Sequence, residues 1–221
     1  MTTATLYRPD DGIKIYTRLG LGVYDALIVN AVARFVWSCP PKTLIDCYRI
    51  HASCNHADVG VGTGYVLDRC GLDARNTRLA LFDLQPNCLE YAARRLERFT
   101  PEQYLWNAGD PLVGIAPFDS IGLGGILHCL PGDMRAKGRV FDALHAVCND
   151  GATLFGYTLV NDAVADRLRR RLVSRFFHRL QVVNFSNDSV QALEHELARR
   201  YDHYSVAVVG CFAFFSATVR R

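Results

Sequence analysis

The 221-residue sequence has no run of about 18 consecutive apolar residues, so a membrane-spanning helix is not expected. It has no CxxC pair. Its eight cysteines (Cys39, Cys47, Cys54, Cys70, Cys88, Cys129, Cys148 and Cys211) are scattered, mostly in apolar contexts. That pattern suits packed, reduced thiols better than a disulfide framework. The opening MTTATLYRPDDG lacks a basic segment followed by an apolar one, so a secretory signal is not expected and the reading is cytoplasmic. Neither sign of charge dominates: 25 Lys and Arg stand against 22 Asp and Glu, for a net charge of +3. Without a basic stripe, that balance gives no reason to expect nucleic acid. A GxxxxGK[ST] loop is absent, which excludes a P-loop. The glycine-rich stretch GVGTG does not complete GxGxxG, because Tyr65 stands where the last glycine would fall.

What is present is a half-hydrophobic chain with enough material for one domain and a sizeable core. Asp11 to about Trp37 has helical spacing, and Thr43 to about Ser53 reads as another helix. Strands and helices then alternate. HADVG, RLALFD (78–83), QYLWNA (103–108), FDSIGLGGIL (118–127) and GATLFGYTLV (151–160) read as strands. GYVLDRC, 85–99, 132–148, NDAVADRLRRRLVSRFFHRL and 186–201 read as helices, with Pro86 suited to a first turn. Two last strands, SVAVVG and CFAFFSATV, join at Gly210 and form an expected antiparallel hairpin. Such alternation predicts a parallel sheet covered on both faces, with its ligand at the carboxyl ends of the strands.

The loop after the first sheet strand is therefore the place to look. Gly60, Gly62 and Gly64 allow close approach of the backbone to a compact ligand; without one, they make a tight strand–helix turn. Asp83 ends the second strand. A carboxylate there can accept both hydroxyls of a ribose, or cap the helix before Pro86.

HADVGVGTG, LFDLQPN and FDSIGLGGILHCLPG resemble the first three motifs of class I S-adenosylmethionine-dependent methyltransferases. The last is also similar to the LHxLPG version of small-molecule enzymes. The terminal SVAVVGCFAFFSATV resembles the family's antiparallel sixth and seventh strands. The resemblance implies a Rossmann-like α/β fold: a seven-stranded sheet, parallel with an antiparallel terminal hairpin. It also implies an N-terminal helical lid over residues 1–55 and a cofactor domain over 56–221, as one folding unit. It implies S-adenosylmethionine as cofactor and a small-molecule substrate. Gly60, Gly62 and Gly64, with Thr63 between them, would let the backbone meet the methionine moiety, and Asp58 would hold its ammonium. Asp83 would bind the ribose, Leu84 would cover an adenine face, and Asn107 and Ala108 would sit beside the adenine. Gly124 would lie near the sulfonium. Relatives often carry Asn and a large residue where this chain has Gly124 and Gly125, so the two glycines are expected to leave room there.

A methyl transfer needs in-line positioning, desolvation and, for a hydroxyl acceptor, a base. His128 is the candidate base, and its alternative role is a turn residue that caps backbone groups. Tyr16 and Tyr24 of the lid could face the cation or bond the methionine carboxylate; the alternative for each is helix core. Tyr24, Trp37, Tyr157, Asn184 and Phe185 are the candidate acceptor-side residues. Cys47, His51 and Cys54 have helical spacing but not the paired spacing of a zinc site, so no metal is expected. The arginines of the Arg167–Arg175 helix are a solvated face or a dock for an acidic carrier protein.

The leading expectation is methylation of an apolar or aromatic metabolite of specialised metabolism, releasing S-adenosylhomocysteine. A second is a cyclase that closes the methionine chain to azetidine-2-carboxylate and releases methylthioadenosine, or a pericyclase, using the room at Gly124 and Gly125. A third is a non-catalytic cofactor-binding subunit. A monomer or homodimer is expected.

Overall fold

The computed structural model describes residues 34, 37–163, 184–185 and 187–220. Seven strands form one sheet: β1 (Asn55–Val59), β2 (Arg78–Asp83), β3 (Glu102–Leu105), β4 (Phe118–Gly124), β5 (Cys148–Leu159), β6 (His203–Val209) and β7 (Phe212–Thr218). Their order is β3-β2-β1-β4-β5-β7-β6. The first five strands pair in parallel, while β7 runs antiparallel between β5 and β6. The strand order reverses direction between β1 and β4. The carboxyl ends of those two strands therefore open a crevice, which is where sheets of this kind bind ligands.

Six α-helices are described: α1 (Pro41–His51), α2 (Tyr65–Arg69), α3 (Pro86–Arg95), α4 (Met134–Lys137), α5 (Arg139–His145) and α6 (Val190–Ala198). Among the described residues, none is long and apolar enough to cross a membrane. Helix α1 begins two residues before the predicted Thr43, because Pro41 fits the first turn, where no N–H partner is needed. The predicted helix over 132–148 is two short ones, broken at Gly138. The predicted strand over 118–127 stops at Gly124, and a 3-10 turn, Leu127–Cys129, follows. Helix α6 starts late, at Val190, where the Ser189 side chain accepts the N–H of Ala192.

The run RLALF reads as continuous apolar residues because both faces of β2 are covered. Leu79 and Leu81 join Leu44, Tyr48, Leu67, Leu89, Leu96 and Phe155 on the side of α1, α2 and α3. Ala80 and Phe82 join Phe118, Ile121, Phe141, Leu144, Leu193 and Phe215 on the side of α4, α5 and α6. Each fully buried Phe or Leu contributes about 1.5–3 kcal/mol. Helix α1 is thus part of the core rather than a surface appendage, and it presses Tyr48 against β1, β4 and β5. Strand β6 lies at the sheet edge and shows Tyr204 and Val208 to solvent.

Candidate active site

The glycine loop leaves β1 by a left-handed residue, Gly60 (φ 71°), and enters α2 by another, Gly64 (φ 70°). A side chain at Gly60 would strike Ile126 at 2.9 Å. One at Gly64 would meet Leu96 at 3.1 Å and Ala92 at 3.3 Å. Gly62 differs: a Cβ there would face open space, with nothing nearer than the Gly60 carbonyl at 4.0 Å. Two glycines let the loop pack down, and the third leaves a cradle. Thr63 is buried in the same loop, and its carbonyl accepts a hydrogen bond from Arg95 of α3 at 3.0 Å.

Three polar side chains stand around this cradle at successive strand ends. Asp58, on β1, is buried, and its Oδ1 accepts a 2.5 Å hydrogen bond from the Tyr48 hydroxyl. Burial pushes its pKa up to about 7; the Tyr48 hydrogen bond works against that, and the nearby Asp83 charge adds to it. Asp83, at the end of β2, accepts the Gln85 N–H at 2.9 Å and the Gly62 N–H at 3.2 Å. Burial raises it to about 6 against the backbone donors that favour its charge. Asn107 follows β3, and its buried Oδ1 has no hydrogen-bond partner among the described residues. Half-buried Leu84 and buried Ala108 flank this row. No cationic side chain bonds Asp58 or Asp83 among the described residues. Buried acceptors left in this state are costly to the protein alone and suit a ligand that brings donors.

Strand β4 closes the crevice. The expected room at its tip is filled: a Cβ on Gly124 would land on the Tyr48 hydroxyl and lie 3.1 Å from the Tyr157 hydroxyl. Gly125 (φ 88°) turns the chain toward His128. His128 is buried, and its Nδ1 accepts the Leu159 N–H at 3.2 Å, which places the ring proton on Nε2. Burial, with Lys137 nearby, lowers its pKa to about 3, so the ring is neutral.

On the rim, the His128 carbonyl accepts the Asn184 N–H at 2.6 Å. Tyr157, Phe185, Trp37 and Phe212 share one buried cluster, with Trp37 and Tyr157 edge-on to Phe212 at 5.5 and 5.7 Å. Tyr16, Tyr24 and the Arg167–Arg175 segment lie outside the described residues. Among the described residues, no group of three or more His, Cys, Asp or Glu could hold a metal, and no disulfide is present. Sequence reasoning misses Tyr48. The signal that could find it is the spacing of Leu44 and Tyr48 at i and i+4, the buried stripe of α1.

No family model matches the chain. It is similar to the physcion biosynthesis cluster O-methyltransferase of Aspergillus chevalieri, 33% identical over 209 residues, covering 93% of this chain and 94% of that one. It is also similar to the demethylluteothin O-methyltransferase of Streptomyces thioluteus, 29% identical over 208 residues and covering 94% and 90%. Among solved structures, the DhpI–SAH complex shares the fold at a TM-score of 0.65, with 16% identity and 99% of both chains covered. The chain belongs to the class I S-adenosylmethionine-dependent methyltransferases, and S-adenosylmethionine is its methyl donor.

Proposed function

We propose that this enzyme methylates an oxygen atom of a small apolar or aromatic metabolite in specialised biosynthesis. The carrying observation is similarity over nearly the full length of both chains to two relatives named as O-methyltransferases, one of them of a biosynthesis cluster. The residues fit the donor. Asp58, Asp83 and Asn107 are acceptors awaiting, in order, an ammonium, two ribose hydroxyls and an adenine amino group. Gly60, Gly62, Thr63 and Gly64 give backbone access to the methionine part, Leu84 and Ala108 border the adenine, and Gly124 borders the sulfur. The donor supplies a methyl group on a positively charged sulfur, which is electrophilic without further activation.

The protein's share is orientation and exclusion of water. The aromatic cluster of Trp37, Tyr157 and Phe185, with Asn184 beside it, is the acceptor side. His128 is the polar side chain at the reacting end, with Tyr16 as its counterpart from the N-terminal segment. In the tautomer set by Leu159, His128 offers a donor that orients an acceptor oxygen. It takes a proton only when its bond to the Leu159 N–H gives way. The space invoked for cyclisation is taken up by the Tyr48 and Tyr157 hydroxyls, which favours transfer to a separate acceptor.

The test is incubation with S-adenosylmethionine alone, then with a panel of phenols and enols on apolar frames, with products read by mass spectrometry. A methyl ether with S-adenosylhomocysteine supports the reading. Methylthioadenosine formed without acceptor, or methylation at nitrogen or carbon only, overturns it. His128→Gln keeps a donor and should retain more activity than His128→Ala.

A further inference from the structure

The chemistry of the cradle leaves one residue unexplained. Tyr48 comes from α1, outside the glycine loop and the strand tips. It is 2% exposed, and its ring meets Phe155, His56 and Tyr157 edge-on at 5.0, 6.0 and 6.4 Å. A phenol has one proton to donate, and this one goes to Asp58 Oδ1. Two glycines of β4 make room for it. A Cβ on Gly122 would sit 2.9 Å from both Tyr48 Cε1 and Asp58 Oδ1, and a Cβ on Gly124 would land on the hydroxyl itself. The sequence thus gives up side chains at two positions of a central strand, where glycine weakens packing, to seat one hydroxyl against one carboxylate.

We propose that Tyr48 is a positioning residue for the cofactor: its hydroxyl holds one oxygen of Asp58 inward and favours the ionised carboxylate, so that the other oxygen receives the donor's α-ammonium. This rests on the reading of Asp58 given above. Among the described residues, the titratable groups that face the Asp58–Tyr48 pair are Asp83 from β2, Tyr157 from β5, His56 from β1, Cys47 from α1 and Cys70 after α2. None of these is a cation at neutral pH, since burial keeps His56 uncharged. The charge of Asp58 is therefore supported inside the fold by the Tyr48 hydrogen bond and completed by the ligand. Gly122 leaves room for both members of the Tyr48–Asp58 pair, and Gly124 for the Tyr48 hydroxyl.

The experiment is calorimetric titration of the folded chain with S-adenosylhomocysteine from about pH 5.5 to about pH 8.5, bracketing the raised carboxyl. In the wild type, affinity rises with pH as Asp58 ionises. In Tyr48→Phe the rise should move to higher pH. A midpoint about one pH unit higher would make binding at pH 7 weaker by up to about tenfold. A profile that superimposes on the wild type overturns the proposal, because a packing role alone would not move the midpoint. Asp58→Asn separates the two readings. It should bind weakly and lose the step near pH 7, keeping only the step near pH 6 that belongs to Asp83; if it binds as the wild type does, the ammonium reading of Asp58 is what fails. Gly124→Ala supplies a second check that does not depend on the pH profile. It should abolish binding in the wild type and regain part of it in the Tyr48→Phe background. Equal loss in both backgrounds would overturn the pairing of Gly124 with Tyr48.

Discussion

Two of the regions that turn carboxylates inward treat them in opposite ways. At the loop before α6, Asp188 is fully buried and meets the buried ammonium of Lys137 at 2.5 Å; Lys137 also donates to the Asn184 carbonyl. At the strand tips, Asp58 and Asp83 are given neutral donors only among the described residues: a phenol and backbone N–H groups. A buried charge needs a counter-charge or a ligand. The first region carries its own partner, so it is architecture: it joins α4 to the segment that leads into α6 and, through Asn184, to the His128 turn. The second has no built-in cation among the described residues, and on the reading proposed above a ligand supplies the positive charge. The same residue type thus takes opposite roles according to whether a cation is built in.

The sharpest way to break this comparison is to remove the built-in cation. Lys137→Met leaves Asp188 buried without its partner and should destabilise the fold by about 3–5 kcal/mol, read from the denaturant midpoint. Adding Asp188→Leu should recover much of that loss, because an apolar pair of similar volume replaces the ion pair. A Lys137→Met variant as stable as the wild type would mean that both regions tolerate lone carboxylates, and the contrast would vanish.

Removing an unpaired carboxylate should do the reverse. Asp83→Asn should weaken S-adenosylhomocysteine binding by about 10–100-fold, the scale of hydrogen bonds to a charged group, without destabilising the ligand-free protein. The sign of the pH effect follows from the raised pKa. Asp83 titrates near 6 when folded and near 4 when unfolded, so the folded state holds its proton longer. Its contribution to stability is fully present below about pH 4 and is lost as pH rises through about 6. Asp83→Asn should therefore unfold at a higher temperature than the wild type at pH 8 and at nearly the same temperature at pH 4. Equal unfolding temperatures at both values would show that Asp83 is well solvated. The buried rings of His56 and His128, both held near 3, act the other way: their contribution is present above about pH 6.5 and is lost as pH falls.

Much of this architecture is legible in the sequence, for identifiable reasons. Apolar runs such as RLALF and the spacing between them predict a parallel sheet, and GVGTG with Asp83 marks its switch point. The tip of β4 is the exception. Gly124 and Gly125 read as vacant space because a glycine shows no side chain, yet Tyr48 and Tyr157, distant in sequence, claim the space at Gly124, and His128 and Tyr157 border that at Gly125. Periodicity places Tyr48 on the buried face of α1 but says nothing of which strand that face meets. The Lys137–Asp188 pair is invisible for the same cause: it spans 51 positions, and each residue alone looks like surface. The break at Gly138 follows from packing too, since a Cβ there would press on Glu196 of α6 at 2.6 Å.

Asn107 gives the smallest and most diagnostic expectation. Its Oδ1 is buried with no partner among the described residues, so desolvating it costs the ligand-free protein free energy that no hydrogen bond there offsets. Asn107→Ala removes that unsatisfied acceptor and should leave the ligand-free unfolding temperature unchanged or slightly raised. The same change deletes a hydrogen bond that forms only when the adenine amino group arrives, so affinity should fall by about 0.5–1.5 kcal/mol, or about 2- to 10-fold. Replacing the ligand's adenine by hypoxanthine, whose ring carbonyl offers no such donor, should weaken wild-type binding and have little effect on Asn107→Ala. If the variant and the wild type discriminate equally between the two bases, Asn107 does not read the adenine. The row of waiting acceptors would then end at Asp83.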